Sequence, residues 1–283
     1  MTPPPNSPKN TYERLLQELR AMGRVLIAFS GGLDSTFLLY AAKQALGDNV
    51  LAVTLVTPYM STTEVRDAQT TAHTLAIQHQ LIDIPFPEEI RHNPPDRCYR
   101  CKRELFQHVK TLAAEEHIEH VLDGTNHDDL DDYRPGMRAL SELQIETPLL
   151  TVGFTKQHIR ELAHEFNLTV WDKPASACLL SRIPHDTYIE EDELRRIDRA
   201  ECILKSMGFA AVRLRSHGNL ARIEVPVERI NDLVETALRM EIHEQLKALG
   251  YRYVTMDMGG YRMGSLNEPD VSSADSDTSY PKS

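Results

Sequence analysis

Three groups of residues in this sequence have types and spacings suited to chemistry. The first is Ser30-Gly31-Gly32-x-Asp34-Ser35-Thr36, set between two apolar runs. Two glycines at a strand-to-helix turn allow positive φ and close approach of a ligand. The helix start beyond them offers unpaired N–H groups and partial positive charge, which suit an anion. Ser30 and Ser35 add hydroxyl donors. Asp34 beside an anion needs a bridging cation, and Mg²⁺ on a nucleotide phosphate is one. A lone glycine pair would read instead as a plain turn. The second group is Cys98-x-x-Cys101 together with Cys178 in a distant loop. Three thiolates can hold a four-iron cluster and leave one iron without a protein ligand. A redox pair or half a zinc site stays open, with His92 close in sequence as a possible extra ligand. Arg97, Arg100, Lys102 and Arg103 flank the pair, a setting that favours thiolates. The remaining cysteine, Cys202, falls in an amphipathic helix and reads as a packed core thiol. The third group is cationic. Ser181 and Arg182 follow Cys178, and Arg213 and Arg215 alternate on one strand, so both point to one face. Bidentate guanidinium groups suit a phosphate; a solvated sheet face is the alternative. Arg222 and Glu224 alternate in the same way and could simply pair. Asp128, Asp131 and Asp132 could hold metal or position a nucleotide, and Arg134 could meet phosphate; the alternative is a solvated acidic loop.

The elements that must position these groups alternate along the chain. Residues 1–9 carry four prolines and read as disordered. An amphipathic helix spans 9–22. The apolar run 24–29 reads as a buried strand and 35–46 as a largely buried helix. A second strand spans 49–56. Ser61 with Glu64 has the capping-box spacing and opens the next helix. A third strand covers 80–85, a helix 99–117 and a fourth strand 120–125. Near-continuous apolar strands alternating with helices predict an α/β fold: a parallel sheet with helices on both faces. A helix starts near Thr155, and 171–186 reads as a long loop, a place where function concentrates. The pattern restarts with a charged helix over 190–207, strands over 211–215 and 221–225, a helix over 227–239 and a strand over 251–256. The predicted division is 10–187 for the nucleotide-binding domain, 188–265 for a smaller α/β substrate-binding domain and 266–283 for a disordered acidic tail.

The chain has 283 residues, 41% of them hydrophobic, and a formal net charge of −11. That balance argues against a nucleic-acid partner, which selects a basic face. No run of 18 apolar residues occurs, so no membrane partner is expected. The N-terminus lacks the apolar stretch of a secretory signal, which predicts a cytoplasmic enzyme. Four cysteines in such a chain do not suggest a disulfide framework.

Ser-Gly-Gly-x-Asp-Ser after a strand resembles the PP-loop of ATP pyrophosphatases, not the longer Walker loop. That resemblance implies a Rossmann-like fold of the adenine nucleotide alpha hydrolase type, ATP as cosubstrate with Mg²⁺, cleavage between the α and β phosphates, and transfer of AMP to a substrate carboxyl or carbonyl oxygen. It casts Ser30, Gly31, Gly32, Asp34, Ser35, Thr36, Asp128 and Arg134 as nucleotide-binding residues, with Asp34 also catalytic. "GTN" with the following Asp and "RPG" is similar to part of NAD synthetases. "TPLLTVGFTKQHIRELAHEFNLTVWDKPASACLLSRIPH", "RPGMRAL", "LARIEV" and "GYRMGSLNE" resemble the LarE family over nearly residues 12–267. LarE proteins are ATP-dependent sulfur transferases that convert carboxylates of pyridinium-3,5-biscarboxylic acid mononucleotide to thiocarboxylates for the nickel-pincer nucleotide. The resemblance implies that Ser181, Arg182, Arg213 and Arg215 bind the substrate phosphate and that Glu201 and Glu224 match acidic, metal-associated positions. It also implies a homo-oligomer. Sulfur would come from sulfide on a [4Fe-4S] cluster held by Cys98, Cys101 and Cys178, or from sacrifice of Cys178 itself. A tRNA thiolation enzyme and an amidating enzyme similar to NAD synthetase are the other readings.

Overall fold

The computed structural model describes residues 7–130, 135–174 and 177–261. Helix α1 (Pro8–Met22) begins at Ser7, whose side chain accepts the Asn10 N–H, and buries Leu15, Leu16 and Leu19. Strand β1 (Val25–Ala28) leads through the glycine turn into α2 (Leu33–Leu46), a helix buried over most of its first two turns. Then come β2 (Val50–Val56), α3 (Thr62–Thr74), β3 (Gln78–Asp83), α4 (Arg97–Glu115) and β4 (His120–Leu122). Helices α5 (Pro135–Glu142), α6 (Pro148–Thr151) and α7 (Lys156–Glu165) complete this part.

The four strands lie in the order β3-β2-β1-β4, and every pairing is parallel. Val25, Leu26, Ile27 and their partners Val50, Leu51 and Ala52 are all within 3% of full burial. They read as unbroken apolar runs because helices cover both faces. The chain moves outward from β1 to β3, then returns to place β4 on the other side of β1. A ligand crevice forms where the order reverses, outside the C-terminal ends of the strands. The β1–α2 turn and the loop after β4 meet at that point.

A second, three-stranded sheet has the order β5-β6-β7, built from β5 (Arg213–His217), β6 (Leu220–Glu224) and β7 (Tyr253–Met256). β5 and β6 form an antiparallel hairpin, and β6 and β7 run parallel. Helices α8 (Glu191–Ser206), α9 (Ile230–Val234) and α10 (Thr236–Ala248) accompany it. Its core of Leu194, Ile197, Leu214, Ile223 and Leu246 is continuous with Tyr59, Phe86 and Ile90 from loops of the first sheet, and with Leu179, Leu180 and Ile183.

Several boundaries differ from expectation for local reasons. β4 stops at Leu122 rather than 125 because the Asp123 side chain accepts the Thr125 N–H at 2.9 Å, closing a turn. The helix predicted over 227–239 is broken at Glu235, which is extended (φ −56°, ψ 132°) and accepts the Leu238 N–H at 3.0 Å to start α10. The Ser61–Glu64 capping box does not form. Ser61 precedes α3, but its hydroxyl is buried without a partner, and Asp198 on α8 instead accepts the Thr62 N–H (3.2 Å) and hydroxyl (2.7 Å). Among the described residues, no helix is long and apolar enough to cross a membrane.

Candidate active site

The glycine turn is shaped by close packing. Gly31 has φ +70°, and a Cβ there would lie 3.0 Å from Cα and Cβ of Ala68 on α3. Gly124, in the loop after β4, comes so close that a Cβ would meet the Ser35 amide at 2.9 Å. Gly32 precedes α2 and offers no capping side chain, so the first amides of that helix have no side-chain acceptor from it. The Ser30 and Ser35 hydroxyls lie 3.1 Å apart. Asp34 in the first turn is ion-paired with Lys156 at the start of α7. Asp128 accepts the Lys156 backbone N–H at 2.8 Å, and the His127 N–H donates to the Phe154 carbonyl at 2.8 Å. Lys173 reaches back to the same turn, donating to the Gly31 carbonyl (3.2 Å) and to Asp67 (2.8 Å).

A second locus lies where the two cores join. α4 begins at Arg97, two residues earlier than predicted, so Cys98 and Cys101 are its second and fifth residues, three apart and on one face. Cys101 Sγ is 3.1 Å from the Tyr59 hydroxyl. Cys178 caps the short turn Leu179–Arg182. Burial pushes the Cys101 and Cys178 thiols up, Cys101 to about 12; Cys98 and Cys178 add to the rise at Cys101, and Cys98 to the rise at Cys178. The expectation that flanking cations would favour a thiolate is therefore not met at Cys101. Arg100 is spent on Asp96 (2.8 Å), Arg103 on Glu89 (3.4 Å) and Lys102 on Asp123 (3.4 Å). Of the four, only Arg97 lowers the Cys178 thiol, assisted by Arg182. His92 stacks edge-on against Tyr188. Among the described residues, no three His, Cys, Asp or Glu side chains gather tightly enough for a single metal ion.

Beside Cys178 lies a buried lattice of charge. The Arg182 guanidinium donates to both oxygens of Glu201 (2.8 and 3.1 Å) and to the Ser181 hydroxyl (2.7 Å). Arg215 grips Glu224 in the same two-pronged way (2.9 and 2.8 Å) and donates to the Ser181 carbonyl. Arg213 faces the Tyr261 ring at 5.0 Å, and burial, then Arg182, push its pKa down. Arg182, Arg213, Arg215, Glu201 and Glu224 are all at most 6% exposed. Guanidinium groups gathered in this way suit an anionic ligand.

The NAD synthase family matches residues 8–105. An uncharacterised protein of Synechocystis sp. is 40% identical over 262 residues, 92% of this chain and 97% of that protein. The pyridinium-3,5-bisthiocarboxylic acid mononucleotide synthase of Lactiplantibacillus plantarum is 38% identical over 257 residues, covering 90% of this chain and 92% of the relative. The chain belongs to the LarE family. A tRNA-specific 2-thiouridylase of Halothermothrix orenii is 25% identical over 214 residues, 60% of each chain. As a LarE-family member with a PP-loop domain, the chain is an ATP-dependent sulfurtransferase.

The expected residues thus fall into two loci. Ser30, Gly31, Gly32, Asp34, Ser35 and Thr36 line the glycine turn, with Asp128 on the neighbouring loop. Cys98, Cys101, Cys178, Ser181, Arg182, Glu201, Arg213, Arg215 and Glu224 form the other. Glu201 and Glu224 each hold an arginine rather than face one another. Arg222 pairs with Glu224 (3.1 Å) and with Asp257 (3.5 Å). Cys202 is only partly buried and contacts Thr63 at 3.4 Å, so it is not a core thiol. Asp131, Asp132 and Arg134 lie outside the described residues. Sequence reasoning missed Lys156, Lys173 and Tyr59. One signal was readable: a lysine in the first turn of a helix stands at the wrong end of the dipole.

Proposed function

We propose that this enzyme uses ATP and Mg²⁺ to adenylate a carboxylate of pyridinium-3,5-biscarboxylic acid mononucleotide and replaces the AMP with sulfur, giving a thiocarboxylate for nickel-pincer nucleotide assembly. The observation that carries this reading is the short loop on which Cys178 precedes Ser181 and Arg182, with Arg215 bonded to the loop from below. A phosphate bound by Arg182, Arg213, Arg215 and Ser181 would tether the mononucleotide beside the cysteines. Glu201 and Glu224 hold two of the guanidinium groups in place, and other donors of the same groups bind the loop at the Ala177 and Ser181 carbonyls and the Ser181 hydroxyl. Ser30, Gly31, Gly32, Ser35 and Thr36 would cradle the triphosphate, Asp34 would hold Mg²⁺ against it, and Asp128 would fix the facing loop.

In the adenylation, a substrate carboxylate oxygen attacks the α-phosphorus and pyrophosphate leaves with the electrons of the broken P–O bond. Sulfide then attacks the acyl carbon, and AMP departs from the tetrahedral adduct. Three thiols suit a [4Fe-4S] cluster, which takes one at each of three irons, and Cys98, Cys101 and Cys178 are the residues that would hold it. When bound through three thiolates, the cluster supplies an iron open to exogenous sulfide. Binding must also displace protons that burial holds on Cys101 and Cys178.

Anaerobically purified protein is the material for the test. It should contain iron and acid-labile sulfide, and with substrate, ATP, Mg²⁺ and sulfide it should release pyrophosphate and AMP over many turnovers. Cys98→Ala, Cys101→Ala and Cys178→Ala should each lose the cluster and the turnover together. A single turnover, with one H₂S lost from the polypeptide at Cys178 and Cys98→Ala still active, would show that Cys178 is sacrificed. Orthophosphate as the primary product would refute the adenylation.

A further inference from the structure

Arg97 carries a buried charge to which the proposed chemistry gives no task. It is the first residue of α4, 6% exposed, and Cys98 follows it. Among the described residues no carboxylate pairs with it. Its Nη1 donates instead to the Nδ1 of His185 at 2.7 Å. A guanidinium cannot accept a hydrogen bond, so Nδ1 does, and the ring keeps its proton on Nε2. Nε of Arg97 is buried without an acceptor, and Nη2 makes no hydrogen bond. These two nitrogens form one edge of the planar fork, the geometry that binds a carboxylate at both oxygens. A buried charge left without a counter-charge destabilises the protein that holds it. An open edge on such a charge fits a residue that waits for an anion.

Its position relative to Cys178 says which anion. Two arginines bracket the loop that starts at Cys178. Arg182 donates to the Ala177 carbonyl (2.9 Å) and the Cys178 carbonyl (3.4 Å) at the start of the loop, and Arg97 holds His185 at its end. Both cations lower the Cys178 thiol, so both lie within electrostatic reach of it. The mononucleotide has anionic groups at both ends, a phosphate on the sugar and two carboxylates on the ring. Arg182, Arg213 and Arg215 serve the phosphate in the reading above, which leaves the ring end without a cation. We propose that Arg97 binds the ring carboxylate that is not reacting, through its Nε and Nη2 edge, and so turns the other carboxylate toward the sulfur. The proposal rests on that reading of the substrate. A thiocarboxylate keeps the planar form with two acceptors, so the same edge serves the half-converted nucleotide in the second round. Monatomic sulfide would use only one of the two donors.

Titration calorimetry of the anaerobically purified full-length protein, without ATP or sulfide, reads binding apart from turnover. The two probes are pyridinium-3,5-biscarboxylic acid mononucleotide and the same mononucleotide with an unsubstituted pyridinium ring. Wild type should prefer the first. Arg97→Gln should weaken the first about 10- to 150-fold, as loss of a charge-assisted bond does, and leave the second within about twofold. Arg97→Lys should recover only part of the loss, because an ammonium lacks the fork. Thermal unfolding of ligand-free Arg97→Gln should match or exceed wild type, since a buried charge without a counter-charge has gone. Unchanged affinity of Arg97→Gln for the biscarboxylate would overturn the proposal. So would an equal loss for both probes, which marks a residue that only holds the loop in shape. A clearly less stable Arg97→Gln would show a charge already compensated and overturn it as well. Wild-type protein that binds neither probe would refute the substrate reading itself and this proposal with it, a result seen before any variant is made.

Discussion

Replacing Glu201 by methionine would leave the Arg182 guanidinium in place without its counter-charge. Both side chains are 2% exposed, so water cannot take over from the lost carboxylate. Two guanidinium bonds of 2.8 and 3.1 Å disappear, and the Leu214 amide loses its acceptor at 3.0 Å. Removing one member of a buried pair costs about 3–5 kcal/mol, a figure that contains the orphaned amide. At about 2–4 °C per kcal/mol for a chain of this size, the midpoint should fall by about 6–20 °C. The double variant Glu201→Met/Arg182→Met removes both charges, and apolar replacement of a whole buried pair is neutral or stabilising. Scanning calorimetry should therefore find the double variant within a few degrees of wild type, while calorimetric titration finds substrate binding still lost. A single variant within about 1 kcal/mol of wild type would refute the argument from buried charge. A double variant as unstable as the single would refute it equally.

Arg213→Ala and Arg215→Ala should weaken the mononucleotide about 10- to 150-fold and leave ATP affinity intact, the loss of one charge-assisted phosphate bond each; titration with each ligand separately checks this. Gly31→Ala should abolish ATP binding, because φ is +70° and the added Cβ meets Ala68 at 3.0 Å; the same titration reads it against wild type. Alkaline stability has a defined sign. Burial raises Cys101 from 9.0 and Tyr251 from 10.0, each to about 12, so the folded cluster-free protein holds both protons more tightly than the unfolded chain. Their contribution is complete below those ordinary values and is lost as pH climbs toward 12. Urea midpoints measured against pH should decline over that window, and Cys101→Ala with Tyr251→Phe should lessen the decline, the remainder belonging to Cys178, Tyr12 and Tyr59, which burial also raises.

Much of the α/β order was legible because buried parallel strands have a plain signature. Val25–Ala28 and Val50–Val56 are apolar without alternation, and α2 between them is an apolar stretch too long for a strand. The glycine turn was legible because backbone conformation and close approach leave glycine little substitute at Gly31. What stayed hidden depended on partners remote in sequence. Ser61 looked like a helix cap, but Asp198 fills that place from 136 residues away. The arginines beside Cys98 looked like thiolate stabilisers, yet Asp96 and Glu89 claim Arg100 and Arg103, and burial decides the thiols. Glu235 breaks a helix that its periodicity would continue, because its own carboxylate begins the next one. Cationic residues in the stretches that carried the family resemblance could be read, but not that Lys156 and Lys173 end at a turn more than 100 residues earlier.

The Cys178 loop is fastened on two sides. The Leu179 N–H donates to the Tyr59 carbonyl at 2.9 Å, and the buried Asn93 amide binds the carbonyls of Leu180, Ile183 and Pro184 at 3.3, 2.9 and 2.9 Å. As the proposed sulfur site, a cysteine anchored in this way has no swinging arm: it would serve one point in space, at a distance from the phosphate set by the arginines on and beneath the same loop. On the proposed chemistry, the pyridinium ring carries carboxylates on two sides, and only one can face the sulfur while the phosphate keeps its seat. Exchanging them takes a half-turn of the ring about its bond to the sugar, so the ring must first withdraw. Catalysis under that constraint is distributive: the half-converted nucleotide escapes to solution, competes with fresh substrate for re-entry, and rises before it falls as the reaction runs.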